Sequence, residues 1–224
     1  MKIIARIHND FKEKFGIPRQ SGLADGIESR IIFEPEYRVR EALRGIEGYS
    51  HLWLIWQFSE AVRDDWSPTV RPPRLGGNRR MGVFATRSPY RPNPIGLSCV
   101  RLLRVEDTAE GCVLVVSGAD MLDGTPIYDI KPYLAFADSR PDAVCGFADE
   151  VRDYSVRVDF PEHLLARIEE GKRDTLLKIL SGDPRPSYKA DGDRVYGMRF
   201  ADYEISFCVV DGTLTVTAVT DVHD

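Results

Sequence analysis

Short apolar runs separated by polar turns fill the first half of the chain, and this pattern predicts β-strands. The run at 50–58 is too short and too apolar for a surface helix, so we expect a buried strand there. One helix is expected over 36–44, since Pro35 suits the first turn of a helix and Gly45 its end. In chain order, the expected strands are 3–7, 31–33, 50–58, 81–86, 95–105, 111–117 and 127–130, with a loop over 12–26 and a hairpin turn at 106–110.

Helical spacing of leucines marks the last third of the chain. Pro161 begins this pattern, Gly171 interrupts it, and Gly182 and Pro184 end it. Three strands are expected after it, at 195–200, 203–210 and 214–219, with Asp211-Gly212 as the hairpin turn between the last two. The carboxyl-terminal part is therefore expected to combine a helix with a three-stranded antiparallel sheet.

A change of composition separates these two parts. Ser, Pro, Asp and Gly cluster at 138–149, where apolar periodicity lapses. We therefore expect a larger domain over 1–145 and a smaller α+β domain over 146–224. The fold class expected for the whole chain is α+β and mainly β, and its larger domain should be a mainly antiparallel sheet or barrel.

Charge is unevenly distributed along the chain. The net charge is −5 at pH 7, yet the stretch from Trp66 to Val105 has eight arginines and no acid. These arginines are Arg71, Arg74, Arg79, Arg80, Arg87, Arg91, Arg101 and Arg104. A local positive field of this kind is typical of a surface that binds phosphates.

Several classes of protein are disfavoured by what the sequence lacks. It has no apolar run near the ~20 residues that a membrane span needs and no signal peptide at Met1, so a cytoplasmic protein is expected. No metal site is predicted, because His8, His51, His163 and His223 lack metal-site spacing, and Cys99, Cys112, Cys145 and Cys208, without a CxxC pair, are expected to be reduced structural thiols. No GxGxxG, P-loop or GxSxG motif is present, which disfavours dinucleotide redox chemistry, P-loop hydrolysis and α/β-hydrolase catalysis.

Five polar loop segments are candidates for a functional site: 18–20, 59–60, 87–93, 123–126 and 129–131. They follow or precede predicted strands, so an antiparallel sheet or barrel would bring several of them to one mouth and form a pocket. The run from Arg87 to Gly96 is the most informative of them. A simple turn needs neither Asn93 between two prolines nor arginines on both sides.

Structural interpretations stay open for the shorter motifs. Asp123-Gly124 is also what an ordinary turn requires, and Arg79-Arg80 is also typical of solvated loop charges. His51 precedes an apolar run and is interpreted as a hydrogen-bonded residue at the end of a strand.

Three long motifs are informative together: residues 71–78, residues 82–98, which include TRSPYRPNPIG, and residues 123–133, which read DGTPIYDIKPY. All three resemble the TrmO (TsaA-like) family. The similarity extends from Pro18-Arg19-Gln20 through 50–53 to residues 183–188, and so covers nearly the whole chain.

The resemblance implies an S-adenosylmethionine-dependent tRNA methyltransferase. Its expected substrate is N6 of threonylcarbamoyladenosine at tRNA position 37, beside the anticodon. Its expected fold is an antiparallel β-barrel catalytic domain, unlike the Rossmann methyltransferases, with a small carboxyl-terminal domain, and its expected assembly is a homodimer that binds the tRNA anticodon stem-loop.

By the same resemblance, residues of the polar loops bind the cofactor. They are Pro18, Arg19, Gln20, Ser59, Glu60, Arg87, Leu97, Asp123, Gly124, Thr125 and Pro126. Ser59 stands where the family commonly has a histidine, which leaves a backbone contact at this position.

Methyl transfer to a nitrogen requires alignment of the reactants and an acceptor for the proton that leaves. We hypothesise Asp129 or Tyr90 as that acceptor, from their positions in the two signature motifs. Tyr90 alternatively stacks on a base, while the arginines hold anticodon-loop phosphates. Two other functions stay open at this point: a non-catalytic RNA-binding β-barrel, and a small-molecule methyltransferase.

Overall fold

The computed structural model describes residues 1–23, 25–75, 79–185 and 194–222, and within these ranges six strands close into one antiparallel sheet. In the first part of the chain the strands are β1 (Ala5–His8), β2 (Glu28–Phe33), β3 (His51–Gln57), β4 (Thr69–Val70), β5 (Met81–Gly82), β6 (Ile95–Thr108), β7 (Gly111–Ser117) and β8 (Pro126–Pro132). The closed order is β1-β2-β7-β6-β3-β8, with β8 paired back to β1, and β4 pairs with β5 in a separate ribbon. Motif residues 76–78 and 186–188 lie outside the described residues, as do the side chain of Arg74 and His223.

The inner faces of the six strands form one hydrophobic core. In β3, Leu52, Leu54 and Trp56 are buried, whereas Trp53 and Ile55 between them lie on the outer face. Other members of this core are Ala5, Ile7, Ile31, Val100, Leu114, Met121 and Ile127. The strand predicted over 50–58 is confirmed, although only one of its two faces is buried.

The helix predicted over 36–44 is wrong. This segment instead forms two separate 3-10 turns, Pro35–Tyr37 and Arg40–Leu43. Between them Val39 has an extended backbone, with φ −109° and ψ 112°. Arg38 donates a hydrogen bond from Nε to the carbonyl of Phe33 (2.8 Å), and the segment packs its apolar side chains on the outside of the strand core. Tertiary contacts therefore outweigh the helical propensity of the segment.

The strand predicted over 81–86 is also largely wrong, because β5 ends at Gly82. A 3-10 turn, Val83–Ala85, follows it, and the Val83 amide donates to the carbonyl of Pro68 (2.9 Å). This turn buries Val83 at 1% exposure and leaves Phe84 at 73%. The short apolar run thus splits into one core residue and one surface residue.

The carboxyl-terminal part has its own sheet. Its elements are α1 (Ala135–Asp138), α2 (Phe147–Glu150), β9 (Arg157–Asp159), α3 (Glu162–Leu165), α4 (Glu170–Ser181), β10 (Tyr196–Phe200), β11 (Tyr203–Val210) and β12 (Thr213–Asp221). The sheet order is β10-β11-β12-β9, and β9 is parallel to β12. The prediction of three antiparallel strands missed β9, which is only three residues long and pairs with β12, a strand much later in the sequence.

The helical region is interrupted one turn earlier than predicted. The break lies at 166–169, where Ile168 is buried at 1% exposure, and Gly171 lies inside α4. Arg173 bonds the carbonyls of Ile168 and Ala166 at this break. Among the helices of the described ranges, none is long and apolar enough to cross a membrane.

The loop between β1 and β2 belongs to both parts of the molecule. Phe11 and Ile27 of this loop are buried in the second core, together with Leu176 of α4 and Phe207 of β11. The loop thus leaves one core and packs against the other. The division of the chain at residue 145 stays a prediction.

A buried carboxylate orders the carboxyl-terminal segment to which this loop is bonded. Asp183, whose side chain is 7% exposed, pairs with Arg185 (2.8 Å) and accepts a hydrogen bond from the Tyr154 hydroxyl (2.9 Å). Arg19 in turn donates to the carbonyls of Asp183 (2.9 Å) and Arg185 (3.2 Å). Burial by itself raises the pKa of Asp183, but the bonds from Arg185 and Tyr154 outweigh it and hold this pKa below its ordinary value.

We expect Asp183→Asn to lower the free energy of unfolding by about 2 kcal/mol at pH 7, because Arg185 loses its buried partner. Asparagine tolerates the left-handed backbone of this position (φ 51°), so the change tests the charge. The carboxylate stabilises the folded state above about pH 4 and ceases to do so as the pH falls through its lowered pKa. The difference between the two proteins in urea unfolding should therefore shrink below about pH 4.

Asp149→Asn is the matched control, since Asp149 also pairs with an arginine, Arg152 (2.8 Å), but its side chain is 41% exposed. Its expected effect on unfolding is within about 0.5 kcal/mol. Equal effects of the two substitutions would contradict the role assigned to Asp183.

Candidate active site

The β1–β2 loop contacts most of the predicted site segments one after another. Asn9 and Lys12 reach Asp123, Lys14 reaches Glu60, and Gln20 reaches Arg87. The segments therefore share a common partner, although they lie far apart in the sequence. The loop has no helix or strand between His8 and Glu28 in its described residues, so these contacts fix its path.

Gln20 and Arg87 meet directly. Arg87 donates from Nη1 to the Gln20 side-chain oxygen at 2.5 Å, and both side chains are exposed. Thr86 and Arg91 hold the arginine-bearing turn, since Thr86 Oγ1 donates to the carbonyl of Val83 and Arg91 donates to the carbonyl of Thr86. Two predicted cofactor segments thus form one polar surface.

A partly buried carboxylate that the sequence reasoning missed lies behind this surface. Asp120 follows β7, and its Oδ1 accepts a hydrogen bond from the Ser98 hydroxyl at 2.5 Å. Ser98 Oγ also accepts the indole proton of Trp56 at 2.9 Å. Burial raises the pKa of Asp120 above its ordinary value, and its bond with Ser98 and the charge of Arg87 reduce that rise. The signal available in the sequence was an acid directly after an apolar strand.

The turn at Asp123 participates in closure of the sheet. Gly124 has φ +74°, and its amide donates to the carbonyl of Ile7 (2.8 Å). Thr125, 3% exposed, accepts a bond from the Ile7 amide (3.2 Å). Asp123 accepts bonds from the Asn9 amide (3.0 Å) and the Lys12 ammonium (2.9 Å). Burial by itself raises the pKa of Asp123, but these bonds outweigh it and lower the pKa.

The segment after β3 lies beside the same loop. Ser59 and Glu60 begin a 3-10 turn and are both exposed. Lys14 contacts Glu60 twice, at its carboxylate (2.9 Å) and at its backbone carbonyl (3.3 Å). Glu60 therefore contacts the loop that carries Gln20.

Pro18 and Arg19 face a different neighbour from Gln20. They line a cavity of about 260 Å³ between the loop and the carboxyl-terminal part. Its other cationic side chains are already paired: Lys14 with Glu60 (2.9 Å), Lys178 with Asp25 (2.7 Å) and Arg185 with Asp183. The structure therefore places Arg19 at the junction of the two parts, and Gln20 at the surface with Arg87.

Leu97 and Asp129 share a row on the outer face of the closed sheet. Leu97 is paired with Ile55, and Ile55 is paired with Asp129 on the other side. Leu97 is 57% exposed. Asp129 pairs with Lys131 (2.8 Å) and accepts a bond from the Ile130 amide (3.0 Å).

Tyr90, the other proposed proton acceptor, lies against an arginine. The guanidinium carbon of Arg63 is 4.2 Å from the centroid of the Tyr90 ring, and Tyr90 is 44% exposed. Trp66 and Phe84 form a second exposed pair nearby in sequence, with ring centroids 6.1 Å apart. The segment 63–66 thus contacts the segment 84–90 through one arginine–aromatic pair and one pair of aromatic rings. We call these four residues the aromatic pair surface.

The arginines of the acid-free stretch separate into two groups. Arg104, on β6, pairs with Glu28 (2.7 Å) and Glu106 (2.7 Å), so acids outside the stretch neutralise its charge. Arg80 bonds the Thr69 hydroxyl (2.8 Å) and remains exposed. Arg79 pairs with Glu150 (3.3 Å). The positive field predicted over the whole stretch is thus reduced at Arg79 and Arg104, which pair with acids from outside it.

Comparisons with known proteins give matches along nearly the whole chain. Residues 6–139 match the family model of the tRNA-methyltransferase O N-terminal domain, and residues 153–222 match that of the TrmO C-terminal domain. The tRNA (adenine(37)-N6)-methyltransferase of Escherichia coli K12 is 40% identical over 224 residues, which cover 96% of this chain and 95% of that protein. A putative S-adenosylmethionine-dependent methyltransferase of Pseudomonas aeruginosa is 42% identical over 210 residues, covering 90% and 89%.

Solved structures agree with these matches. A crystal structure of TrmO from Pseudomonas aeruginosa has a TM-score of 0.74 and 35% identity, and the match covers 97% of each chain. Fold and sequence therefore match the same proteins.

Gly96 of the proline-rich motif allows us to test how the site is packed. A Cβ atom at Gly96 would overlap the ring of Trp56, its partner across β3 and β6. We expect Gly96→Ala to destabilise the protein by about 1–3 kcal/mol in urea unfolding, since the buried ring must shift. Gly82→Ala is the control, because it has nothing within 4 Å and an ordinary φ of −57°. Equal stability of both variants would refute this packing.

Proposed function

The chain belongs to the TrmO family, and on that basis we propose that it is an S-adenosylmethionine-dependent methyltransferase that acts on N6 of adenosine 37 of tRNA. We further propose that its substrate is the threonylcarbamoyl form of that adenosine, in the anticodon stem-loop. The contact of Gln20 with Arg87 is the observation in the structure that carries this proposal, because it joins two separate cofactor segments at one surface.

The donor set at this surface suits S-adenosylmethionine, which has a carboxylate, an ammonium group and an apolar-faced adenine. Arg87 has five N–H donors, and Gln20 uses only one of them, so others can bind a carboxylate. Glu60 supplies a carboxylate for a cation, and Leu97 supplies exposed apolar surface. Pro18, Arg19, Ser59 and the turn from Asp123 to Pro126 complete the proposed cofactor contacts.

When bound, S-adenosylmethionine supplies a methyl group that a nucleophile takes from its sulfonium sulfur. The residues of this chain align the two partners and receive a proton from the acceptor nitrogen. Asp129 is proposed for that second role, since its carboxylate is 44% exposed in the same cross-strand row as Leu97. Tyr90 is proposed to stack on RNA, because its ring is exposed and lies beside the cationic side chain of Arg63.

The RNA is proposed to lie on the aromatic pair surface and the exposed arginines beside it. Trp66 and Phe84 are 53% and 73% exposed although they are large and apolar. Base stacking on such rings does not require a particular sequence, and arginines contribute phosphate contacts. Arg71 and Arg80, next to the paired strands β4 and β5, would supply those contacts.

The remaining parts of the proposal concern architecture and assembly. The closed sheet of residues 1–145 is proposed as a catalytic β-barrel distinct from the Rossmann methyltransferases, and residues 146–224 as a carboxyl-terminal domain. A homodimer is proposed as the assembly. The antiparallel pairing of every neighbouring pair in the closed sheet supports the first of these, since a Rossmann sheet is mostly parallel.

The decisive experiment supplies labelled S-adenosylmethionine with tRNA that has or lacks the threonylcarbamoyl group, and with free nucleosides. Label transfer only to modified tRNA supports the full proposal. Transfer to nucleosides alone would indicate a small-molecule methyltransferase. Absence of heat on titration with S-adenosylmethionine, with tRNA still bound, would indicate a non-catalytic RNA-binding module.

Asp129→Asn should reduce single-turnover methylation about 10²- to 10⁴-fold if this carboxylate accepts the proton. The affinity for tRNA should stay unchanged. Asp142→Asn, at an exposed carboxylate outside the strands, should leave the rate unchanged. Undiminished methylation by Asp129→Asn would remove Asp129 as the acceptor.

Trp66→Ala should weaken tRNA binding by about 1–3 kcal/mol, the contribution of one stacked base. Filter binding at several salt concentrations is the measurement, and affinity should fall steeply with salt for both proteins. Tyr49→Ala, at an exposed aromatic outside the acid-free stretch, is the control and should bind as the unmodified protein does. A flat salt profile would contradict this placement of the RNA.

A further inference from the structure

Asp120 lies where two proposed cofactor segments come together. Its Oδ1 accepts a bond from Ser98, the neighbour of Leu97 on β6. Its carboxylate also accepts a bond from the backbone amide of Ser21, the neighbour of Gln20. The contacts of this one side chain thus lead to both segments.

The direction of each hydrogen bond is fixed by chemistry. The Trp56 indole nitrogen can only donate, so Ser98 Oγ accepts its proton and directs its own proton toward Asp120. A backbone amide likewise only donates, so the Ser21 amide requires an acceptor. Asp120 is therefore surrounded by donors, and two carboxylate oxygens satisfy them better than one amide oxygen.

Ser21 reinforces this junction from its other side. Its hydroxyl accepts a bond from the Cys99 amide (3.2 Å), and the amide of Gly22 donates to the carbonyl of Gly118 (2.9 Å). The loop residues Ser21 and Gly22 are thus bonded to β6 and to the chain that follows β7. The charge of Arg87 acts on the same carboxylate.

The position of this carboxylate is costly for the fold. Burial opposes its ionised form, and the bond with Ser98 and the charge of Arg87 offset part of that cost. A carboxylate kept in a partly buried place against that cost, with contacts that lead to cofactor segments, is explained by the shape that it gives the site.

We propose that Asp120 is a positioning residue for S-adenosylmethionine. Its carboxylate holds Gln20 and Ser21 of the loop against Leu97 and Ser98 of β6, and its charge keeps the Arg87 guanidinium beside Gln20. This inference rests on the proposed function and assigns a role to a residue that the proposed cofactor contacts do not include.

The test is Asp120→Asn in the full chain, with S-adenosylmethionine affinity measured by calorimetry and KM measured for both substrates. We expect the dissociation constant and KM for S-adenosylmethionine to rise roughly tenfold, the change that about 1.4 kcal/mol produces. The KM for tRNA should stay unchanged. General destabilisation would instead raise both KM values and lower the melting temperature. Ser98→Ala, which removes one donor to Asp120, should weaken cofactor binding in the same direction.

Glu106→Gln is the matched control. Glu106 lies on β6, the strand that also carries Ser98, and Arg30 and Arg104 bond its carboxylate. The substitution removes this negative charge and should leave cofactor affinity unchanged. Cofactor binding by folded Asp120→Asn at the unmodified affinity would overturn the proposal, as would an equal rise of both KM values together with a lower melting temperature. If Asp120→Asn does not fold, unchanged affinity of Ser98→Ala overturns it instead. A lack of binding by the unmodified protein would refute the proposed function itself.

Discussion

Pairing of β1 with β2 on one side and with β8 on the other is the constraint on which the rest of the structure depends. β1 has four residues, and its register with β8 joins only Ala5 to Ile127 and Arg6 to Pro126. The closure continues through backbone bonds between Ile7 and the turn at Gly124 and Thr125. The motif that reads as a binding turn in the sequence is therefore also the closing contact of the sheet, and it fixes where the β1–β2 loop begins.

From that point, single contacts between distant parts of the sequence determine the path of the loop. No ladder of backbone bonds supports it, and each contact must offset the entropy of ordering two groups. Lys14, Gln20 and Ser21 each reach a different element, while Phe11 and Ile27 anchor the loop in the second core. The candidate site is assembled along this loop. The positions of the strand ends had instead predicted that the polar segments would converge at one mouth of the sheet.

Local patterns were sufficient for much of the fold. The β6–β7 and β11–β12 hairpins follow from apolar alternation and turn residues, which act over a few positions. The closed strand order and the parallel pairing of β9 with β12 depend on partners far along the chain, so periodicity does not report them. The segment 36–44 has a helical composition but takes its shape from the sheet on which it packs. Asp120 went unnoticed because one acid carries meaning only once Ser21 and Ser98 are seen beside it.

The family resemblance supplied the candidate cofactor residues. The structure shows which neighbouring residues form hydrogen bonds with them. Arg19 and Gln20 are adjacent in sequence, yet one bonds the carbonyls at Asp183 and Arg185 and the other bonds Arg87. A single peptide unit therefore connects the carboxyl-terminal part to the surface proposed for the methyl donor. A ligand that moves the Asp183 segment, and Gln20 with it, changes donor affinity, and thermodynamic linkage then requires the donor to change that ligand's affinity by the same factor.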